Sequence, residues 1–279
     1  MQQQSIFITG AASGIGRATA SFFHKKGWFV GCYDIDKDAL NVLEEELGGS
    51  CVTSYLDVRD KEGFDEAMAS FGEHTNGKLD IMFNNAGLAV GGNLDDVPFE
   101  KIMDMVNINF VGVLTGMYAA IPLLKETENS LCFSTSSSSA IFGHPGMATY
   151  SATKFAVKAL TEALSVELAR YGSRASDVLP GIIDTPLWKG ERYSTGKVAS
   201  AQSDLPKLNA NRTDAGRTIA PIEVAKCVWS AYHGDKLHWY IPPEMEKGEV
   251  EKAKSPDARR DAMIALHAKS KLKNTEKIS

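Results

Sequence analysis

The chain has 279 residues, 43% of them hydrophobic and 23% charged, which predicts a globular protein able to bury a sizeable core. Its net charge of −5 disfavours a general nucleic-acid-binding protein, which needs a basic surface. The N-terminus has no basic segment followed by a longer apolar one, and no apolar run approaches the length of a membrane span. We therefore expect a soluble, cytoplasmic protein.

Seven short runs rich in β-branched and aromatic residues are predicted to be strands. They cover residues 5–9, 28–34, 51–57, 78–84, 130–136, 175–180 and 237–242. Segments with helical spacing lie between the first of them, such as 14–27 and 37–49, and the second ends at Gly48 and Gly49. This alternation predicts an α/β fold, a Rossmann-like doubly wound parallel sheet of about seven strands with helices on both faces.

Residues 1–243 are predicted to form one domain. Within it, the polar and weakly periodic segment 187–219 is interpreted as a mobile loop that closes over the substrate. Residues 244–279 are a charged tail, predicted to be partly helical and solvated or loosely docked.

The four cysteines of the chain bear on metal binding and on disulfides. Cys32, Cys51, Cys132 and Cys227 form no C-x-x-C pair and have no histidine cluster near them. This pattern disfavours a zinc site and a disulfide framework, so we expect no metal site and reduced thiols.

A glycine-rich turn, "TGAASGIG" at 9–16, follows the first strand. Gly10, Gly14 and Gly16 allow the backbone to turn sharply and approach a pyrophosphate at the positive end of the next helix. Ser13 and Ile15 complete the turn. The spacing is not the commoner G-x-G-x-x-G, and a tight strand-to-helix loop alone would look the same.

Asp34 ends the second strand, 24 residues after Gly10, where a ribose-binding carboxylate belongs. An acid there accepts hydrogen bonds from the ribose hydroxyls and repels a 2′-phosphate, and Ser13 and Ile35 supply no cation for one. The sequence therefore favours NAD(H) over NADP(H). Asp57 and Val58 follow the third strand, where Asp57 either borders an adenine ring or caps the next helix.

Tyr150 and Lys154 are four residues apart and share one face of a predicted helix. A tyrosine with its ordinary pKa of about 10 is a poor base at neutral pH. A nearby ammonium, together with an oxidised nicotinamide, lowers that pKa and suits Tyr150 to proton transfer at an alcohol or carbonyl oxygen. The spacing alone is common by chance, and a serine of the run 134–139 could hold the substrate oxygen beside the phenol.

Taken together, residues 5–186 resemble the short-chain dehydrogenase/reductase family, in its single-domain branch. Eight features occur in the family's order: the turn at 9–16, Asp34, Asp57-Val58, "NNAG" at 84–87, Asn109, the serine segment, "YSATK" at 150–154 and "PGIIDT" at 180–185. Each feature is weak alone, and their order makes the likeness specific.

The resemblance implies a set of catalytic residues. Tyr150 is expected to be the general acid/base, and Lys154 to lower its pKa and bind the nicotinamide ribose. Ser137, thirteen positions before the tyrosine, matches the catalytic serine, and Ser138 is its nearest rival. Asn109 matches the asparagine that holds a water next to Lys154; alternatively, it bends its helix and bonds to neighbouring backbone.

The resemblance also extends the cofactor site. Asn84 is expected to stabilise the centre of the sheet. The backbone of Ala86 and Gly87, which follow it, is expected to pass close to the adenosine ribose. Near the nicotinamide carboxamide, Ile182 would offer its backbone and Thr185 its hydroxyl, unless Thr185 only caps the next helix. The remaining expected cofactor contacts are Asn85, Pro180 and Gly181.

The predicted substrate pocket is apolar or aromatic, although several of its residues could instead belong to the core. It comprises Leu88, Val90, Ser138, His144, Met147, Leu187 and Trp188. For His144, a surface turn is the competing interpretation.

The leading hypothesis is an NAD(H)-dependent oxidoreductase that interconverts a secondary alcohol and a ketone, with an apolar, aromatic or cyclic substrate. Alternatives of the same fold are an NADPH-dependent reductase, an epimerase, a dehydratase or an enoyl reductase. A catalytically silent NAD-binding regulator would be expected to lack Tyr150, Ser137 or Lys154, all of which are present. By resemblance, the protein is expected to be a homodimer or homotetramer.

Overall fold

The structure is a computed structural model that describes residues 3–194, 197–200 and 212–275. Its centre is a parallel sheet of seven strands in the order β3-β2-β1-β4-β5-β6-β11. The strands are β1 Ser5–Thr9, β2 Phe29–Asp34, β3 Cys51–Tyr55, β4 Ile81–Asn84, β5 Leu131–Thr135, β6 Arg174–Pro180 and β11 His238–Ile241. Each corresponds to one of the seven predicted strands, so the predicted fold class is confirmed.

Helices connect the strands and cover both faces of the sheet. They are α1 Gly14–Lys25, α2 Lys37–Leu47, α3 Lys61–His74, α4 Phe99–Val106, α5 Gly112–Lys125, α6 Ala148–Ala169, α7 Pro221–Tyr232, α8 Met245–Lys254 and α9 Pro256–Thr275. Successive residues of β1 face opposite ways: Ile6 and Ile8 pack with α1, α2 and α7, while Phe7 packs with α3, α5 and α6. Both faces are thus buried, which explains why the strands carry so little charge.

The order of the strands reverses between β1 and β4, because β2 lies on one side of β1 and β4 on the other. The loops that follow the carboxyl ends of β1 and β4 run in opposite directions, so a crevice lies between them. The glycine-rich turn and the segment after Asn84 form its two walls.

Two aspartates begin the helices after β2 and β3. Asp36 accepts a hydrogen bond from the Ala39 amide at 3.0 Å, and Asp60 accepts one from the Gly63 amide at 3.1 Å. Such bonds satisfy amides that have no partner within the helix. The interpretation of Asp57 as a cap for α3 is therefore wrong, because Asp60 occupies that position.

Phe99–Lys125 is one continuous helical stretch in which a π-helical turn, Asn107–Val111, joins α4 to α5. By length and composition alone it could cross a membrane, with a mean hydropathy of 1.5, so the expectation that no apolar run reaches that length is wrong. The side chains of Val113, Met117 and Leu124 are buried against the sheet. A core helix of an α/β domain accounts for this composition.

The segment 187–219 contains regular structure where the sequence predicted a mobile insertion. Pro186–Lys189 is a 3-10 turn, and β8 Arg192–Ser194 pairs with β9 Lys197–Ser200 in an antiparallel hairpin. β7 Ile182–Ile183 pairs with β10 Thr218–Ile219. Residues 195–196 and 201–211, to which the predicted closure also refers, lie outside the described residues.

The charged tail begins with a docked helix, α8, which precedes the predicted tail helix. Met245 of α8 packs with Ile141 and Leu179, and Glu249 bonds to both Lys158 and Tyr240. The sequence did not reveal this because the partners of Glu249 lie on α6 and β11. The domain boundary at residue 243 stays a prediction.

Candidate active site

The glycine-rich turn brings backbone to the crevice and closes tightly beneath it. Gly10 has a φ of +65°, a conformation that favours glycine, and a Cβ on Gly16 would lie 2.0 Å from the Gly10 carbonyl oxygen. Ser13 stands at the N-cap of α1 without a side-chain capping bond. The first turn of α1 therefore keeps amide groups available for an anion such as a pyrophosphate.

Asp34 is held in place by the same turn. One carboxylate oxygen accepts a hydrogen bond from the Ala12 amide at 2.9 Å, and the other accepts one from the Asp36 amide at 3.1 Å. Each oxygen keeps a further lone pair. The half-buried carboxylate is thus oriented at the rim of the crevice and can accept hydrogen bonds from a ribose.

A cavity of about 500 Å³ fills the crevice. The predicted cofactor residues that line it are Gly10, Ser13, Gly14, Ile15, Asp34, Asp57, Val58, Asn85, Ala86, Gly87, Tyr150, Lys154 and Thr185. Gly16 is buried below the turn. The glycine-rich turn and the oriented Asp34 carboxylate fit a dinucleotide, because the turn brings backbone close to the cavity where side chains on Gly10 and Gly16 would collide with neighbouring backbone.

Arg59 also lines this cavity and was missed from the sequence. Its guanidinium binds the Asp57 carboxylate at 2.6 Å and reaches Asp104 at 3.5 Å. The hydrogen bonds from Arg59 lower the pKa of Asp57. The D-x-R spacing at 57–59 was a visible signal, although the sequence did not indicate which side chain Asp57 would bind.

Hydrogen bonds fix the wall that follows β4. The Thr9 hydroxyl accepts from the amides of Asn85 and Ala86 at 3.0 and 3.1 Å, and the Thr135 hydroxyl donates to the Asn85 side-chain oxygen at 3.1 Å. Asn84 lies in the buried sheet centre, where its amide faces Cys132. The role of Asn85 is thus to connect β1, β4 and β5 rather than only to contact a ligand.

Tyr150, Lys154 and Ser137 converge at the carboxyl end of β5. The ammonium of Lys154 lies 5.7 Å from the centre of the Tyr150 ring and donates a hydrogen bond to the Thr135 carbonyl at 2.8 Å. The Ser137 hydroxyl is near enough to the Tyr150 phenol to lower its pKa, and it accepts a hydrogen bond from the Ser139 amide at 3.1 Å. Ser136 instead donates to the Lys154 carbonyl at 3.0 Å, which ties α6 to the serine loop.

Burial dominates the proton affinities of this pair. It lowers the pKa of Lys154 to about 8. Burial also raises the pKa of Tyr150. The interaction with Ser137 lowers this pKa, but its effect is smaller than that of burial. The sequence-based expectation of a lowered tyrosine pKa is thus opposed by desolvation, because both groups are almost fully buried.

Asn109 is completely buried in the π-helical turn and bonds to the loop after β4. Its side-chain oxygen accepts from the Leu88 amide at 2.8 Å, and its nitrogen donates to the Leu88 carbonyl at 2.9 Å. A Cβ on Gly87 would lie 3.2 Å from the Asn109 oxygen and 3.6 Å from the Lys154 nitrogen. Asn109 is thus satisfied by backbone, as the alternative interpretation expected, and still lies close to Lys154.

A second cavity, of about 600 Å³, adjoins the first and shares Tyr150 with it. The predicted residues along it are Ser137, Ser138, His144, Met147, Tyr150, Pro180, Gly181, Ile182, Thr185, Leu187 and Trp188. Burial, and to a lesser degree the charge of Arg259, lowers the pKa of His144. Since the two cavities meet at Tyr150, a dinucleotide in one and a substrate in the other would share its phenol.

Two residues predicted for the substrate pocket lie elsewhere. Leu88 lines the dinucleotide cavity, and Val90 lines neither cavity because it is packed with Met105 behind Tyr150. Conversely, the sequence-based prediction omitted four residues that line the second cavity: Asn93, Asp96, Arg192 and Tyr193. Pairing of β8 with the loop after β4 brings them there, and no local pattern predicts that pairing.

The fold and this site together define a dinucleotide-binding oxidoreductase with a tyrosine at the meeting point of two cavities. The sequence model of the short chain dehydrogenase family matches residues 4–195. The chain therefore belongs to the short-chain dehydrogenase family.

Individual relatives agree with this assignment. The chain is 33% identical over 224 residues to the 3-oxoacyl-[acyl-carrier-protein] reductase FabG of Thermotoga maritima, covering 79% of this chain and 87% of FabG. It is 33% identical over 199 residues to the putative oxidoreductase SadH of Mycobacterium tuberculosis, covering 68% and 70%.

Solved structures show the same fold. A 3-ketoacyl-(acyl-carrier-protein) reductase from Brucella melitensis, complexed with NADH, superposes with a TM-score of 0.73 at 26% identity, covering 86% of this chain and 97% of that one. A short-chain dehydrogenase/reductase from Burkholderia phymatum in complex with NAD gives a TM-score of 0.78 at 24% identity, covering 92% and 95%. At that identity, the second likeness shows the fold alone.

The two candidate serines can be separated by substitution. We expect Ser137→Ala to lower kcat about 100-fold, a typical effect for losing a hydrogen-bond donor to the reacting oxygen. Ser138→Ala should change kcat less than about threefold, because Ser138 lines the cavity without a hydrogen bond to Tyr150. Steady-state kinetics with one alcohol measures both; a larger loss in the Ser138 variant would reverse the assignment.

Proposed function

We propose that the protein is an NAD(H)-dependent oxidoreductase that interconverts a secondary alcohol and a ketone. The observation that carries this proposal is the convergence of Tyr150, Lys154 and Ser137 where the dinucleotide cavity and the second cavity meet. The short-chain dehydrogenase family to which the chain belongs supports the reaction class.

In the proposed reaction, the nicotinamide dinucleotide supplies or accepts the hydride. Tyr150 donates a proton to the ketone oxygen during reduction and accepts it from the alcohol during oxidation. Ser137 holds the same oxygen beside the phenol. Lys154, buried and bonded to the Thr135 carbonyl, favours the phenolate that remains after proton donation. Asn109 holds the loop at Leu88 and so positions the wall next to Lys154.

NAD(H) is the proposed cofactor because of Asp34. Its carboxylate, fixed by the Ala12 and Asp36 amides, would repel a 2′-phosphate at the ribose. Arg59, a cation that lines this cavity, is already engaged by Asp57. Arg17, which bonds to the Ala12 carbonyl, is paired with Glu46. The NADH complex of the Brucella melitensis relative supports the same choice.

The proposed partners are a small alcohol or ketone and a second copy of the chain, with the cytoplasm as the proposed compartment. Exposed apolar side chains on the helical stretch 99–125, among them Phe99, Leu114 and Tyr118, support a homodimer or homotetramer. Sedimentation of the purified chain as a monomer at micromolar concentration would contradict this part.

The proposal is tested with purified protein and a panel of ketones and secondary alcohols. We expect hydride transfer with NADH or NAD, and binding of NADH at least tenfold tighter than that of NADPH, since one unscreened like-charge contact costs about 1–2 kcal/mol. Fluorescence titration of the reduced cofactors measures the preference. Tighter binding of NADPH would overturn the role given to Asp34, and absence of turnover with either cofactor across the panel would overturn the reaction class.

A further inference from the structure

The second cavity contains a cation that the predicted apolar pocket did not include. Arg192 lines it together with Tyr150, Ser137 and His144. Among the described residues, no carboxylate lies within 4.0 Å of the Arg192 guanidinium, whereas five of the eight other arginines are ion-paired. Arg192 is exposed, and a guanidinium that lines a cavity without a carboxylate partner can bind a planar anion.

The backbone of Arg192 is fixed at the base of the hairpin. The Gly91 amide donates to the Glu191 carbonyl at 3.0 Å, and the Tyr193 amide donates to the Gly91 carbonyl at 2.8 Å. These bonds form a parallel bridge between Gly91 and Arg192. The side chain of Arg192 therefore starts from a defined place beside the cavity rather than from a free loop.

The side chain of Arg192 packs against the backbone of Gly91. A Cβ placed on Gly91 would lie 3.1 Å from Arg192 Cγ, 3.4 Å from Nε and 3.6 Å from Cζ. Because Gly91 has no side chain, the stem and the guanidinium of Arg192 lie directly over its backbone. A Cβ at position 91 would press on the stem of Arg192, which would have to move by a few tenths of an ångström.

The acidic groups nearby are already engaged. Glu191 accepts from the Lys101 ammonium at 3.0 Å and from the Tyr193 hydroxyl at 2.8 Å. Asp96, which lines the same cavity, accepts from the Asn93 side chain at 3.0 Å. Glu191 is thus paired with another cation, whereas the Asn93 amide is neutral and leaves the carboxylate charge of Asp96 in the cavity. Arg192, and Arg259, whose charge acts on His144 in the same cavity, supply the positive charge there.

We propose that Arg192 binds a carboxylate of the substrate, so that the ketone or alcohol processed at Tyr150 is an acidic one. This inference rests on the proposed function for the identity of the reacting group, but not for the binding of the carboxylate. Arg192 is then a specificity-determining residue that holds the far end of the substrate while the reacting oxygen meets Tyr150.

The test separates binding from turnover. A Tyr150→Phe protein saturated with NADH is titrated by calorimetry with 4-oxopentanoate, 5-oxohexanoate and 6-oxoheptanoate, and with their methyl esters. We expect at least one acid to bind about tenfold more tightly than its ester, as for one charge-assisted hydrogen bond at a partly solvated site. Arg192→Gln in the same background should abolish that preference, and Arg192→Lys should retain part of it.

Arg260→Gln is the matched control, because Arg260 is exposed on α9 and is paired with Asp257 and Asp261. It removes one positive charge from the protein without touching the cavity and should leave the preference unchanged. Equal affinity for every acid and its ester, or a preference that survives Arg192→Gln, would overturn the inference. Absence of turnover of both the oxo acids and the neutral ketones by the wild-type protein would instead overturn the proposed function and leave the binding result unaffected.

Discussion

Tyr150→Phe should lower kcat by about 1,000-fold or more, with little change in the affinity for NADH. The substitution removes only the phenolic oxygen, and general acid-base groups typically contribute 10²–10⁴-fold to rate. The ring stays packed with Val90 and Met105, so the fold should be retained. Stopped-flow or steady-state rates of ketone reduction measure the loss, and fluorescence titration measures NADH binding.

The pH dependence of the same variant supplies a second readout. Burial raises the pKa of Tyr150, so reduction, which needs the protonated phenol, should stay constant through neutral pH. Oxidation needs the deprotonated form and should become faster as the pH rises through the alkaline range. The residual activity of Tyr150→Phe should lack this rise. Turnover by the variant within about threefold of wild type would remove Tyr150 from the mechanism.

Lys154→Met should abolish most activity and yet make the protein more stable at pH 7. Lys154 is almost completely buried, and its pKa is lowered from 10.5 to about 8. At pH 7 the lysine is charged in both the folded and the unfolded chain, so folding carries the full cost of burying that charge, about 3 kcal/mol. Methionine, of similar shape, removes this cost but leaves the Thr135 carbonyl without its donor, at about 1 kcal/mol.

The predicted net gain is about 2 kcal/mol in the free energy of unfolding at pH 7, measured by urea titration without nucleotide. Above pH 8 the folded lysine becomes neutral while the unfolded one stays charged up to about pH 10.5, so the wild type gains stability across that window. The advantage of the variant should therefore shrink by pH 10.

Lys61→Met is the matched control, since Lys61 is exposed on α3 and paired with Asp65. It should change the stability by less than about 0.5 kcal/mol at either pH. A Lys154 variant that is less stable than wild type at pH 7 would show that the buried ammonium stabilises the fold. Such an outcome would also remove the argument that Lys154 is retained for function at a cost in stability.

The two variants address different features of the site. Tyr150→Phe removes the proton-transferring atom, whereas Lys154→Met removes a charge that the fold tolerates next to it. If both lose activity while only the second gains stability, the strain in this site lies in the buried ammonium, not in the phenol.

Sequence alone was sufficient for the fold and for most of the dinucleotide cavity. The seven strands and the early helices follow from periodicity and from glycine punctuation, both of which act between residues near in the chain. The turn at 9–16 and Asp34 belong to one βαβ unit, so their spacing determines their meeting. Likewise, Tyr150 and Lys154 share a helix face because they are four residues apart.

Only the tertiary structure decided the remainder. It made Ser137 the serine whose hydroxyl lowers the pKa of Tyr150, and it put Val90 behind Tyr150 instead of along the cavity. It also brought Arg59 to Asp57 and Arg192 to Gly91, and it docked Glu249 on Lys158. The physical reason is that these contacts join distant segments whose approach depends on how helices and loops pack on the sheet, which no local pattern encodes.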